Sequence, residues 1–474
     1  MVTNVLIPEW FSISLNQTIN NEHRLDASAF NADAFVILNK IKSNPNGCVP
    51  LWGKNGIIQD AFVCGRFKRI YTDNESDIPF FLPSDIENVF PKATKYISPN
   101  TKVDIDALRV HSGMLLMSCS GTIGKSSIVG RYLNNQVFSH DLLRITFHNT
   151  YDLGYTYAFF NTYEGLSLLR SNNYGSVIDH IEPEHLMNIP IPNAPKELKQ
   201  EIHGLIMQSF ELRDDSNELI DKAQRLLYKE LSLPEISDIT PKQYNTDNRF
   251  RCISLNISRL DGRLDVSYHV PEVEAIIDHL MQKTKKVLKI KDKEISNQII
   301  LPGRFKRVYV DKDHGVPFFG GKQLLQLSPS NVKYLSRKHH SKRISEQLTI
   351  HENMCVVSCS GTIGKVNLVP KHWDGWTLSQ HVLRIVPSSD KIAGYIYAWL
   401  ASPYCKQLIQ RNSYGAVIDE LSDIQIGNVR IPILYKDEVM QKINDDVLKA
   451  NNLRYEAYVL ERKAIMIMQG ILDS

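Results

Sequence analysis

The octapeptide SCSGTIGK occupies residues 118–125 and recurs letter for letter at residues 358–365. Other blocks recur in the same order: RLD (24–26 and 263–265), GRFKR (65–69 and 303–307), LRI (143–145 and 383–385) and YGxVID (174–179 and 414–419). Blocks repeated in one order at nearly one offset indicate a tandem duplication of a unit of about 240 residues. Such a unit is too long for a solenoid repeat and long enough to form a domain.

Composition agrees with a folded chain of more than one domain. The 474 residues exceed the usual size of a single core, and 43% hydrophobic with 23% charged residues excludes wholesale disorder. A formal net charge of +3 neither requires nor excludes a polyanionic partner, so a basic surface would have to come from local clusters. No apolar run approaches a membrane span and the start has no signal-peptide pattern, so we expect a cytoplasmic protein.

Each unit is predicted to have two parts. The first part mixes short apolar and β-branched runs with turn residues, which predicts mixed α/β structure. The second part predicts a long helix, at residues 196–232 in the first unit and 436–474 in the second. The predicted domains are therefore 1–195 and 233–435, the latter opening with a linker at 233–250. The predicted fold class is α+β.

Apolar residues in both helical segments follow the alternating spacing of four and three that is typical of coiled coils. The predicted helix–helix or partner-facing residues are Leu198, Ile202, Leu205, Leu212, Leu219 and Leu226 in the first segment, and Val439, Ile443, Leu453, Leu460 and Ile467 in the second. Two such stripes in one chain can cover each other, which favours an antiparallel coiled coil. The alternative is that each helix docks on the surface of its own domain.

The glycine-rich octapeptide resembles a phosphate-binding loop but does not match one. Cys119 stands where the first glycine is required, and Val366 replaces the metal-binding hydroxyl in the second copy. Two interpretations remain: a tight turn between strands, or a direct phosphate contact. The second would use the polar residues of the turn, namely Ser120, Thr122 and Lys125 with Ser360, Thr362 and Lys365.

The sequence contains no signature of a catalytic or metal site. The seven cysteines are scattered without a Cys-x-x-Cys pair, so we expect reduced thiols and no metal. Cys119 and Cys359 are interpreted as small buried residues rather than nucleophiles. The repeated carboxylates Asp26, Asp265, Asp179 and Asp419 are interpreted as salt-bridge or capping residues.

Basic residues recur in a pattern that favours nucleic-acid binding. The GRFKR block gives Arg66, Lys68 and Arg69 in the first unit, and Arg304, Lys306 and Arg307 in the second. In an extended segment the first two of each set share one face, while the aromatic residue and the last arginine share the other. Local positive charge neutralises phosphates, and arginine also reads guanine edges. Further basic runs lie at residues 283–293 and 333–343.

Taken together, these blocks resemble the specificity subunit of Type I restriction-modification enzymes. The resemblance covers both units, through RLD, SCSGTIGK, SQHVLRI at 379–385 with SHDLLRI at 139–145 as its looser copy, and an Ile-Pro pair before each long helix. It implies two target-recognition domains that read the halves of a bipartite, asymmetric double-stranded DNA target, separated by paired helices that act as a ruler.

The resemblance also implies partners and excludes catalysis in this chain. Two methyltransferase subunits that bind S-adenosylmethionine would assemble on it, and motor-nuclease subunits can join them for restriction. The chain itself would bind no cofactor. Two alternatives stay open: a duplicated protein–protein scaffold that does not bind DNA, and the specificity subunit of a methylation-only or other phage-defence assembly.

Overall fold

The structure, a computed structural model, describes residues 32–72, 76–171, 180–239, 262–415 and 419–474, with residues 12, 15, 256, 257 and 260. The first RLD block and the first YGxVID block lie outside the described residues. The chain divides into two compact units. Unit 1 is Met1–Asp214 with Glu456–Ser474, and unit 2 is Asp215–Tyr455. Each long helix is thus shared between the units, whereas the predicted domain boundaries placed both helices outside the domains.

Unit 1 contains two four-stranded sheets and a two-stranded ribbon. The strands are β1 (Cys48–Pro50), β2 (Ile58–Phe62), β3 (Tyr71–Thr72), β4 (Ile78–Phe81), β5 (Lys95–Ile97), β6 (Leu115–Ser118), β7 (Ser126–Ile128), β8 (Val137–Phe138), β9 (Leu142–Phe147) and β10 (Pro190–Pro192). One sheet has the order β2-β9-β6-β7 and is antiparallel, the other has the order β3-β5-β4-β8 with β4 and β8 parallel, and β1 pairs with β10. Near-continuous apolar runs form the central strands because both of their faces are buried.

Helices cover the first of these sheets. They are α1 (Ala32–Lys42), α2 (Thr150–Phe160) and α3 (Tyr163–Ser171), with 3₁₀ turns at Pro83–Glu87, Asp106–Leu108 and Pro183–Asn188. The buried faces of α1, α2 and α3 join β2, β6 and β9 in one hydrophobic core. Both ends of the same core are closed by long-helix residues, including Ile202 and Ile206 from one helix and Ala464 and Met468 from the other.

Unit 2 repeats this arrangement. Its strands are β11 (Lys286–Lys289), β12 (Ser296–Ile300), β13 (Gly315–Phe319), β14 (Lys333–Ser336), β15 (Cys355–Ser358), β16 (Val366–Leu368), β17 (Thr377–Leu378), β18 (Val382–Pro387) and β19 (Arg430–Ile433). Its helices are α4 (Ile236–Ile239), α5 (Pro271–Lys283), α6 (Arg337–Arg343), α7 (Asp390–Leu400), α8 (Pro403–Arg411) and α9 (Asp423–Gly427), with 3₁₀ turns at Val266–His269, Lys312–His314 and Lys371–Trp373 and a π turn at Ile344–Leu348.

The two units correspond in every described strand except β3, where unit 2 has only an isolated bridge between Tyr309 and Leu335. The order β12-β18-β15-β16 repeats β2-β9-β6-β7, the order β14-β13-β17 repeats β5-β4-β8, and β11 pairs with β19 as β1 pairs with β10. Even an irregularity is duplicated, because the register shifts between Ile58 and Asp60 in unit 1 and between Ser296 and Gln298 in unit 2. The predicted mixed α/β fold and its duplication are confirmed.

The first long helix is Lys196–Leu231 and the second long helix is Asp437–Asp473. Within unit 2 they run antiparallel, since Glu230 pairs with Lys436 at 3.1 Å and Lys222 lies 3.9 Å from Asp446. Within unit 1 the Ser209 hydroxyl donates to the backbone carbonyl of Ala457. The helices therefore pair as predicted. No helix in the part of the chain that the structure describes is both long and apolar enough to cross a bilayer.

The buried stripe on each helix differs by about one residue from the predicted one. Of the eleven residues predicted to line it, Ile202 and Ile443 are fully buried and the other nine are half-buried. The stripe that is buried comprises Ile202, Ile206, Ser209, Phe210, Ser216, Ile220, Ala223, Leu227 and Leu231 on the first helix, and Ile443, Val447, Ala450, Arg454, Ala457, Glu461, Ala464, Met468 and Ile471 on the second. The predicted four-three spacing also includes small residues, and these are buried: Ser209, Ser216, Ala223, Ala450, Ala457 and Ala464. The displacement by one residue concerns the larger residues between them, as when Ile220 is buried in place of Leu219 and Glu461 in place of Leu460.

Glu461 shows how a charge is accommodated in this stripe. It accepts a hydrogen bond from the Tyr157 hydroxyl and lies 2.9 Å from Arg213. Burying a carboxylate is costly unless it is paired, and these two partners supply the pairing.

Candidate nucleic-acid interface

The basic loop of unit 1, residues 65–69, is extended but belongs to no strand. Arg66 and Lys68 are exposed, whereas Phe67 and Arg69 are half-buried, as alternation along an extended chain predicts. The Phe67 ring packs edge-on against Phe80 at 6.2 Å and His140 at 5.4 Å. The aromatic ring anchors the loop while two cations point to solvent.

Arg69 belongs to the anchor rather than to the exposed surface. Its guanidinium donates to Asp141 at 2.7 Å and to the Ser139 hydroxyl at 3.3 Å. Burial, together with the positive charges of Arg69 and Arg66, lowers the pKa of His140, against an opposing contribution from Asp141. His140 is therefore neutral at neutral pH.

The basic loop of unit 2, residues 303–307, has the same design with other contacts. Arg304 and Lys306 are exposed, and the Phe305 ring packs edge-on against His340 at 5.2 Å. Arg307 donates to the Gln380 side chain at 2.8 Å. Arg304 also reaches Glu420 at 3.0 Å while its side chain stays 79% exposed, so this pair leaves the guanidinium available to a stronger anion.

The repeated octapeptide forms the connection between β6 and β7 in unit 1 and between β15 and β16 in unit 2. In the first copy the Ser118 hydroxyl donates to the carbonyl of Thr122 at 2.6 Å and accepts from the backbone N–H of Lys125 at 3.0 Å. Gly121 and Gly124 adopt φ values of +73° and +88°, which only glycine adopts without strain. The second copy repeats both the hydrogen bonds and the φ values. The tight turn between strands is therefore present, and it accounts for the first serine and both glycines.

The candidate phosphate-contacting residues of the turn differ in accessibility. Thr122 and Thr362 are exposed, and Ser120, Lys125, Ser360 and Lys365 are half-buried. Lys125 forms an ion pair with Glu87 that leaves its side chain 24% exposed. The turn is thus a poorer source of free positive charge than the basic loops.

In unit 2 the octapeptide turn and the basic loop both contact Glu420. The backbone of Ser360 bridges to Glu420, and the Gly361 N–H donates to the carbonyl of Asp419 at 3.0 Å. Glu420 in turn contacts Arg304. The second YGxVID block therefore supports the surface between loop and turn. Arg263 of the second RLD block forms a bidentate pair with Asp265 at 2.6 Å, which confirms the salt-bridge interpretation for that carboxylate.

The arginine in each LRI block holds the backbone beside the basic loop in place, a role that the sequence analysis did not predict. Arg144 is fully buried and donates to the carbonyls of Leu108, Phe138 and Ser139. Arg384 does the same with Leu348, Leu378, Ser379 and Val382. Burial lowers the pKa of Arg384 to about 9. Each arginine fixes the short connection that holds the last arginine of the basic loop. The sequence did contain one indication of this role, because both copies keep an arginine inside an otherwise apolar block.

The thiols at the repeated cysteines are not activated. Burial raises the pKa of Cys119 to about 11 and that of Cys359 to about 12, so both stay protonated at neutral pH. Among the described residues there is no cluster of histidine, cysteine and carboxylate side chains that could hold a metal ion. The basic run at 283–293 is partly neutralised, because Lys286 pairs with Glu294 and Lys285 lies 3.9 Å from Asp437.

Residues 310–456 match the family model of the Type I restriction modification DNA specificity domain. This stretch includes the second octapeptide, the second LRI block, α6 and half of the second long helix. No curated protein sequence matches the chain.

The solved structures that are similar to the chain include the following three. The Type-I restriction-modification system S subunit from M. genitalium has 13% identity and a TM-score of 0.32, over 90% of this chain and 98% of that one. A second structure comes from work on the structural basis of complex assembly and conformational transition of the type I R-M system. It has 12% identity and a TM-score of 0.28, over 87% of this chain and 94% of that one. The HsdS subunit from Thermoanaerobacter tengcongensis has 12% identity and a TM-score of 0.27, over 87% and 93%.

Proposed function

We propose that this chain, in which residues 310–456 match the family model of the Type I restriction modification DNA specificity domain, is a non-catalytic subunit that reads double-stranded DNA for a restriction-modification complex. The observation that carries the proposal is the pair of basic loops. Each places two exposed cations beside a half-buried aromatic anchor on the same duplicated frame. Exposed cations on a rigid support bind phosphates, and arginine can also donate to base edges.

Two recognition units in one chain support a bipartite target. The loops share their sequence, but the segments around them differ, so the two half-sites should differ as well. The first long helix has 36 residues, which corresponds to about 54 Å at 1.5 Å per residue. That length exceeds one turn of B-DNA, about 34 Å. The helices are proposed to set the gap between the half-sites.

Partners and cofactor form the finer part of the proposal. Methyl transfer would be carried out by two methyltransferase subunits that bind S-adenosylmethionine, with motor-nuclease subunits joining for restriction. The purified chain should therefore transfer no methyl group from S-adenosylmethionine to DNA. Methylation by this chain alone would contradict the non-catalytic assignment.

The test of DNA binding uses the full chain with Arg304→Ala and Lys306→Ala combined. Affinity for a duplex is measured by fluorescence anisotropy between 50 and 200 mM salt. Losing two phosphate contacts should flatten the slope of log affinity against log salt concentration by about 1.8. Across this range the affinity of the wild type should then fall about twelve-fold more than that of the variant. A matched control, Lys391→Ala with Lys406→Ala, removes the same charge from exposed positions of α7 and α8 and should leave the slope unchanged.

Failure of the wild type to bind duplex DNA would favour the alternative of a protein–protein scaffold. Methylome sequencing of the host then distinguishes the remaining alternatives. Two modified half-sites with a fixed gap are expected for the proposed subunit, and restriction of unmodified DNA separates a complete system from one that only methylates.

A further inference from the structure

The helix α6 is a basic surface with no counterpart after the equivalent strand of unit 1, in the residues that the structure describes there. It follows β14 directly and reads RKHHSKR, with no acidic residue. The equivalent strand of unit 1, β5, is followed by residues 98–105, where exposed Lys102 stands beside exposed Asp104. β5 pairs antiparallel with β4 as β14 pairs with β13, so the two units differ in the segment that follows an equivalent strand.

Three contacts join α6 to the basic loop of unit 2. The Arg343 guanidinium donates to the carbonyl of Gly303 at 3.2 Å and lies over the Phe305 ring at 4.9 Å. The backbone N–H of Val308 donates to Nε2 of His340 at 3.1 Å. Loop and helix therefore form one continuous surface, with Arg343 and His340 facing inward.

The remaining basic residues of α6 face solvent. Arg337, Lys338 and Lys342 are all exposed. They extend the surface that begins at Arg304 and Lys306. Such a density of positive charge on a fixed support is what a polyphosphate backbone requires, because each neutralised phosphate releases counterions.

We infer that α6 is a phosphate-backbone anchor that gives unit 2 the larger, more salt-sensitive share of DNA affinity. The inference rests on the proposed function and adds an asymmetry between the two recognition units that the duplication does not predict. Backbone contacts fix position and carry no direct sequence information, so α6 should contribute about equally on every sequence.

The experiment replaces Arg337, Lys338 and Lys342 with alanine together in the full chain. These side chains make none of the contacts that hold α6 on the loop, and far-ultraviolet circular dichroism with a thermal melt verifies folding. Anisotropy titrations use a duplex containing the methylome-defined target and a scrambled duplex, between 50 and 200 mM salt. The salt slope should flatten by about 2.7 on both duplexes, so that the wild type loses about forty-fold more affinity than the variant over this range.

Two controls locate the effect. Lys283→Ala, Lys285→Ala and Lys286→Ala combined remove the same charge from the run at 283–293, where two of the lysines have acidic partners, and should change the slope by less than one unit. An unchanged slope in the α6 variant, with the wild type still binding, overturns the inference and leaves the proposed function standing. A loss confined to the specific duplex also overturns it, because that result means base reading. A wild type that does not bind DNA overturns both.

Discussion

The two basic loops have the same sequence but are held by different neighbours. In unit 1 the loop phenylalanine packs on His140, from the connection before β9, whereas in unit 2 it packs on His340 from α6. The last arginine of each loop pairs with Asp141 in one unit and with the uncharged Gln380 in the other. Duplication has thus preserved the packing of the loop on a strand phenylalanine, Phe80 or Phe318, while the histidine and polar contacts of the loop differ. The exposed charge can stay constant although the surrounding surface diverges.

The largest effect is expected from replacing the buried arginine that each unit has at the equivalent position. Arg384→Met should lower the free energy of unfolding by roughly 3–5 kcal/mol, because several buried carbonyls lose their donor. Arg144→Met should cost a similar amount in unit 1. Hydrogen–deuterium exchange on peptides of each unit, combined with urea unfolding, measures the loss and its location. If only one of the two variants were destabilised, the shared frame would not depend on this residue.

A smaller difference is expected between the two octapeptide turns. Alanine at Gly124 or Gly364 must adopt a left-handed conformation, which costs about 1 kcal/mol. At Gly124 a Cβ atom would in addition come within 2.5 Å of Leu166, whereas at Gly364 the nearest atom, on Ile409, is 3.6 Å away. We expect Gly124→Ala to cost about 2 kcal/mol and Gly364→Ala about 1 kcal/mol.

Thermal melts of the two alanine variants measure this difference. Gly204→Ala serves as the control, since Gly204 lies in the first long helix with open space around it and alanine should be neutral or stabilising there. Equal losses of stability in the two variants would show that side-chain movement relieves the crowding at Gly124.

The smallest expected effect is the change in stability when acid protonates the two histidines that pack on the basic loops, His140 and His340. Burial is the first cause that lowers the pKa of His140 and of His340. Nearby arginines lower the pKa of His140 further, and the charges of His339 and Arg343 lower that of His340. Because the unfolded histidine has the higher pKa, about 6.5, the unfolded chain binds more protons as the pH falls through that value, and acid favours unfolding. The melting temperature should fall slightly between pH 7.5 and pH 5.5.

Phenylalanine substitution tests this assignment. His140→Phe and His340→Phe keep a ring beside the loop but cannot titrate, so each variant should lose less stability over the same pH interval. A wild-type melting temperature that rises on acidification would contradict the direction of both pKa shifts.

The repeated blocks made the duplication predictable, the apolar runs the mixed α/β units, and the four-three spacing the paired helices. All three signals are local features of the sequence. The buried stripe of the long helices was displaced by one residue because burial at Arg454 and Glu461 depends on tertiary partners that spacing does not show. The structural roles of Arg144 and Arg69 were missed for the same reason. A sequence reports that an arginine is present but not whether it faces solvent or carbonyl groups.

Unit 1 takes residues from both ends of the sequence, since Ala464, Met468 and Ile471 of the second long helix pack in the same core as Ile37 and Leu115. The ribosome synthesises these residues only after residues 215–455 of unit 2. The core of unit 1 therefore stays incomplete while unit 2 is being translated. A nonsense codon just after Tyr455 would consequently leave unit 2 whole but remove packing residues from the core of unit 1.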